Sequence, residues 1–146
     1  NSKFGGPMTH TVKCQSNGTL SPLGTCRPVE CGTVPTHTDA SYNATKVFVF
    51  REAALIVCDT GYSLDQSTAA EAKQYNLNCQ SNGQFETVQE CKGIMCGVAP
   101  AIAHTTSDTD KKTFSMKATY NLDTGYTRDA SPEGKKVFER ECLESA

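Results

Sequence analysis

The sequence predicts an all-β protein built of tandem small disulfide-stapled antiparallel β modules, arranged end to end. Three observations predict it. Cys14-Gln15-Ser16-Asn17-Gly18 returns as Cys79-Gln80-Ser81-Asn82-Gly83, 65 residues on. The next cysteines keep the same step, Cys26 with Cys91 and Cys31 with Cys96. Apolar residues fall in short runs of strand length or alternate with polar ones. A fixed period defines the folding unit. A unit of about 60 residues buries too little apolar surface to be secure without staples.

The 146 residues include eight cysteines, which can supply those staples. Their intervals are 12, 5, 27, 21, 12, 5 and 46 residues, with no paired short spacing of the C-x2-C kind that zinc sites use. Disulfides in an oxidising compartment are therefore expected, in a protein that is secreted, at the cell surface or lumenal. The formal charge is −2, with Lys and Arg scattered. No basic stripe marks a nucleic-acid partner. No apolar run approaches the roughly 18 residues of a membrane span. The chain opens at Asn1 without an initiator Met, so it reads as a processed form or a piece of something longer.

Residues 1–26 hold only the region of the third and fourth cysteines of the repeat, Cys14 and Cys26. The complete copy spans 31–91. Cys31-Gly32-Thr33-Val34-Pro35 makes an extended or turning entry. Lys46–Phe50 is β-branched and aromatic, and Ala53–Cys58 is an apolar run, so both read as strands. Asp59-Thr60-Gly61-Tyr62 breaks the run at a turn or bulge. Gln66–Gln74 has a poor apolar stripe and room for about two turns, so it reads as a loop. Tyr75–Cys79 alternates as a half-buried strand, Ser81-Asn82-Gly83 turns, and Phe85 re-enters the core. A third, partial or atypical copy occupies 96–146. There Phe114, Met116, Ala118 and Tyr120 alternate with polar residues as a strand. Leu122-Asp123-Thr124-Gly125-Tyr126 repeats Cys58-Asp59-Thr60-Gly61-Tyr62, with Leu122 where Cys58 stood. The linkers, 27–30 and 92–95, are too short to act as flexible tethers, so limited bending is expected.

The 31–91 segment resembles the sushi family, also called complement control protein modules or short consensus repeats. Four cysteines at suitable spacing, Asp59-Thr60-Gly61-Tyr62 after the second, and Asn82-Gly83 with Phe85 after the third carry the likeness. Cys26-Arg27-Pro28-Val29-Glu30-Cys31-Gly32 is similar to the family's junction between modules. Four cysteines alone leave three connectivities. The resemblance implies first-to-third and second-to-fourth bridges, here Cys31–Cys79 and Cys58–Cys91, and Cys96–Cys142 as the remaining bridge of the last copy. No fourth cysteine is expected soon after it. Cys14 and Cys26 pair either with upstream cysteines of a longer array or with each other, the second option leaving every cysteine of this chain bridged. The family usually carries a core Trp between the third and fourth cysteines. This chain has none, and Leu20 and Phe85 stand in those places.

Catalytic patterns are lacking: there is no Gly-x-Ser-x-Gly, no phosphate-binding or dinucleotide fingerprint, and no EF-hand frame around Asp108-Thr109-Asp110. His10, His37 and His104 read as exposed loop residues. No enzyme activity, cofactor or metal is expected. Asn17-Gly18-Thr19 and Asn43-Ala44-Thr45 are sequons, so Asn17 and Asn43 are expected glycosylation sites. Thr33–Thr45 and Thr105–Thr113 are rich in Ser and Thr and read as polar loops. The resemblance implies extracellular recognition or adhesion, with a protein or glycan partner. The alternative is a structural subunit that assembles head to tail with copies of itself into an extracellular fibre.

Overall fold

The computed structural model describes residue 9 and residues 11–143. In chain order the strands are β1 (Glu30–Gly32), β2 (Ala40–Ser41), β3 (Phe48–Val49), β4 (Ala53–Cys58), β5 (Tyr62–Ser63), β6 (Gln74–Asn78), β7 (Lys92–Gly93), β8 (Met95–Val98), β9 (Thr105–Ser107), β10 (Lys111–Thr113), β11 (Lys117–Leu122) and β12 (Val137–Glu141). One 3-10 turn, Ala70–Lys73, is the sole helical element among the described residues. The protein is all-β, with small antiparallel sheets and three disulfides. None of its described helices is long and apolar enough to cross a membrane.

Two compact units divide the chain. The first gathers the described residues up to Pro35 with Asn43–Ala54 and Asn76–Val88; the second holds Thr36–Tyr42, Leu55–Tyr75 and the chain from Gln89 onward. The division thus falls within 31–91, while 27–30 lies inside the first unit and 92–95 inside the second.

In the first unit, β1 pairs with β3 through a bulge, Glu30 opposite Val49 and Gly32 opposite Phe48. The Lys46–Phe50 run supplies only the two strand residues Phe48 and Val49. Past them the chain turns, with Glu52 N–H donating to Val49 O. The repeated turn has one geometry in both copies. Gln15 N–H donates to Thr19 O at 2.8 Å and Gln80 N–H to Gln84 O at 2.9 Å. Gly18 and Gly83 take φ +80 and +78, a region that glycine enters without a Cβ penalty.

β4 alternates as expected of a strand with one buried face: Ala54, Ile56 and Cys58 point inward while Ala53, Leu55 and Val57 are exposed. It is the central strand of the sheet β2-β4-β6. In the second unit, β9-β11-β12 repeats that order, with Tyr120 opposite both Ser107 and Phe138. β8 and β10 repeat the bulged β1–β3 pair, Gly97 lying opposite Lys112. The expected strand through Phe114 starts later, at Lys117. Ser115 takes φ +67, and Met116 N–H donates to Thr113 O, so a turn interrupts the alternation and Met116 is exposed.

Residues 92–95 are a tie of hydrogen-bonded strand. β7 pairs with β5. Ile94 N–H donates to Gly61 O at 2.9 Å, Met95 N–H to Gln66 O at 2.9 Å, and Phe114 N–H to Ile94 O at 2.8 Å. Ile94 is buried. The Phe114 ring lies against Gly61 and edge-on to Tyr62, centroids 5.6 Å apart.

Candidate functional site

The cysteines join Cys31 to Cys79, Cys58 to Cys91 and Cys96 to Cys142. Of the two options left open for Cys14 and Cys26, the structure does not show the bridge between them. Both are free and exposed. The local turn explains part of this: residues 15–19 close on themselves and Ser21 N–H returns to Lys13 O, which fixes Cys14 opposite Leu20.

Asn17 and Asn43 are both exposed. Thr19 donates to Asn17 Oδ1 from its N–H at 3.0 Å and from its hydroxyl at 2.7 Å. Asn43 Oδ1 accepts from the N–H of Thr45, the Thr45 hydroxyl and the N–H of Lys46, at 3.1, 3.1 and 3.0 Å. In each case the side-chain oxygen of an exposed asparagine is tied into the local turn.

Of the histidines, His37 departs from the expected exposed loop residue in its burial, while His104 keeps to it. His37 is half-buried, its Nε2 2.8 Å from Tyr75 Oη, its N–H donating to Tyr42 Oη, and its ring 5.0 Å from that of Tyr42. Burial pushes the Tyr75 phenol above its usual range, opposed by the Gln89 N–H that donates to it. His104 is exposed and stacks flat on Tyr126, centroids 3.9 Å apart. His10 lies outside the described residues. Among the described residues no group of three or more His, Cys, Asp or Glu is placed to hold a metal.

A cleft of about 380 Å³ opens in the second unit, beside the Cys96–Cys142 bridge. Tyr120, fully buried, forms part of its wall and is fixed by its hydroxyl, which donates to Pro100 O at 3.0 Å. Val98 and Leu143, both exposed, and Arg140 also line it. Lys112 lies in the wall with 9% of its surface exposed, its ammonium 3.0 Å from Asp108 Oδ1. That ammonium holds the Asp108 carboxyl below the usual aspartate range, with desolvation opposing and the Thr119 N–H adding to it. A carboxylate with a depressed folded pKa contributes stability above its unfolded pKa and loses it as pH falls through the folded value. Acid titration is therefore expected to loosen the β9–β11 region, and Asp108→Asn to be less stable at neutral pH with a flatter acid profile. NMR of the β9 and β11 amides against pH checks this; identical profiles for both proteins would refute it.

The sequence reading did not single out Lys112, Tyr120 or Arg140 as cleft residues. A signal existed for two of them. Aligned on the cysteines and strand pairing, Lys112 stands where Phe48 does, and Arg140, two residues before Cys142, stands where Leu77 stands before Cys79.

Sheet order, bulged pair and bridges define a class: a small disulfide-stapled all-β protein with an internally repeated plan. No family model matches the chain. It is similar to the mouse (Mus musculus) protein named Sushi, von Willebrand factor type A, EGF and pentraxin domain-containing protein 1, with 22% identity over 126 residues. The match covers 86% of this chain and 3% of that protein's length.

Proposed function

We propose that this chain is a non-catalytic segment of sushi-like modules that works outside the cell in recognition or adhesion, binding protein or glycan partners through module surfaces. In this reading 31–91 is a complete module, with partial or atypical ones at 1–26 and 96–146. The repeated plan carries the proposal: sheet orders β2-β4-β6 and β9-β11-β12, each beside a first-to-third bridge, Cys31–Cys79 and Cys96–Cys142. Small stapled β units of this kind suit oxidising compartments. The likeness to a mouse protein with sushi domains in its name points the same way. The test is saturable binding of multimerised, secreted protein to cell surfaces and extracellular matrix, before and after protease or glycosidase treatment of the target. Reduced protein should lose the binding. Absence of saturable binding to any surface would overturn the reading.

Asn17 and Asn43 are proposed to carry N-glycans. Expression in a secretory host is expected to yield two masses of glycan removable by amidase. Thr19→Val and Thr45→Val should each remove one, and an unmodified wild-type mass would refute the assignment.

A further inference from the structure

Residues 92–95 are tied to the turn at 59–62 through a plug and a seat, and each half recurs elsewhere in the chain. The seat is Gly61, which is buried, and Tyr62, which is half-buried. The plug is Ile94 with Phe114. The Phe114 ring lies on Gly61 and Tyr62, Phe114 N–H donates to Ile94 O, and Ile94 N–H donates to Gly61 O.

The plug recurs in the first unit as Val29 with Phe50. Phe50 N–H donates to Val29 O at 2.7 Å, as Phe114 N–H does to Ile94 O at 2.8 Å. The chain then takes the same turn. Arg51 and Ser115 have φ +74 and +67, and the N–H groups of Glu52 and Met116 return to Val49 O and Thr113 O, each at 2.9 Å. This second plug is open to solvent. Phe50 is 37% exposed, with the Arg51 guanidinium over its ring, whereas Phe114 is half-buried. No described carbonyl accepts from Val29 N–H. Pro28 stands where Gly93 does. Because Ile94 N–H bonds Gly61 O, Tyr62 and Gly93 form the non-hydrogen-bonded kind of pair, and a proline at that position forfeits no bond.

The seat recurs in the second unit as Gly125 with Tyr126. Tyr126 N–H donates to Asp123 O at 3.0 Å, as Tyr62 N–H does to Asp59 O, and Gly125 takes φ +89 beside +85 at Gly61. Here nothing lies on the glycine. Gly125 is exposed, and a Cβ on it would meet no atom within 4 Å. Tyr126 is 44% exposed, with His104 stacked on one face. No described N–H donates to Gly125 O. The unused Val29 donor and the unused Gly125 acceptor are the two halves of the Ile94–Gly61 bond.

We propose that the Val29–Phe50 plug of one copy of this chain docks on the Gly125–Tyr126 seat of a second copy, repeating the contact already made inside the chain. The Phe50 ring covers Gly125 and meets Tyr126, and Val29 N–H donates to Gly125 O. The internal contact identifies the occupant: it shows these two surfaces fitted together, and every copy carries one of each. Burying the Phe50 ring against a second aromatic drives the association, and a contact this small belongs to the weak, transient class. The inference does not rest on the recognition reading. It gives assembly of the chain with copies of itself a defined surface.

The test is sedimentation velocity of the full chain from micromolar to millimolar concentration, with amide NMR over the same series. The mean sedimentation coefficient should rise with concentration, and the amides of Val29, Phe50, Gly125 and Tyr126 should shift together. Phe50→Ala and Tyr126→Ala should each weaken self-association about tenfold. Mixed, the two variants should associate again, because one keeps the seat and the other the plug. Unchanged amide shifts at β4 and β11 verify that both fold, and Phe50→Leu, which keeps an apolar side chain, should retain part of the association. A chain that stays monomeric across the series overturns the proposal. So does association that both variants leave intact, or a mixture of the two that remains monomeric. Association that disappears when Cys14→Ser and Cys26→Ser are combined is cross-linking through the free thiols and overturns it as well. If the multimer binds surfaces while the chain stays monomeric, only this contact falls and the recognition reading stands.

Discussion

Gly61→Ala is expected to destabilise the second unit by roughly 3 kcal/mol, from a left-handed backbone penalty of about 1–2 and an overpacking cost of about 1–3. Gly61 takes φ +85. A Cβ there would collide with Cδ1, Cε1 and Cγ of the Phe114 ring. The ring cannot step aside freely, because Tyr62 meets it edge-on and its backbone N–H is tied to Ile94 O. The molecule provides its own control. Gly125 occupies the same turn with φ +89, and a Cβ there would meet nothing within 4 Å. Gly125→Ala should therefore cost only the backbone share. Urea denaturation of both variants measures the difference. Equal costs would show that Phe114 does not clamp the tie. Phe114→Ala should recover most of the excess when combined with Gly61→Ala, a non-additivity expected of groups in contact.

Removing the Cys96–Cys142 bridge by a double Cys→Ala change is expected to cost about 4 kcal/mol by loop-closure entropy alone, since it spans 46 residues. The segment it closes has no second bridge, because Leu122 stands where Cys58 provides one. A core of this size supplies only about 3–5 kcal/mol. The segment from β8 to β12 should therefore open locally while β4 and its neighbours keep their protection. Amide exchange followed by NMR separates the outcomes. Exchange unchanged at Ala118 and Tyr120 would mean that packing alone holds the segment. Removing Cys58–Cys91 instead should expose β4 and spare β11.

Much of the fold was legible because it depends on short-range pattern. The repeated Cys-Gln-Ser-Asn-Gly specifies its own turn: glycine permits the positive φ, and Asn82 Oδ1 accepts from Gln84 N–H as Asn17 Oδ1 does from Thr19 N–H. Ala53–Cys58 announced β4 through its apolar run, and Leu122 was visible as a missing half-cystine. The loop reading of Gln66–Gln74 missed only the four-residue 3-10 turn within it and the start of β6 at Gln74. Misreadings arose where partners are distant in sequence. Lys92–Met95 carries no sign that Gly61 and Gln66 will take its N–H groups. The alternation through Phe114 and Met116 looks continuous until Ser115 adopts a positive φ and turns the chain. For Cys14 and Cys26 the sequence left two pairings open, because cysteine arithmetic carries no distances.

The candidate cleft was partly written in the sequence and passed unnoticed. Lys112 and Arg140 become informative only when their copies' positions are known to be core positions, and burial is a property of the fold. The sequence by itself determined the period, the all-β character, the turns and which cysteines have counterparts, because these follow from residue type and spacing. Tertiary structure alone decided that 92–95 is a tie, that Phe114 lies on Gly61, and that Arg140 lines a cleft beside the Cys96–Cys142 bridge. Those depend on which surfaces meet, and a linear pattern does not encode that directly.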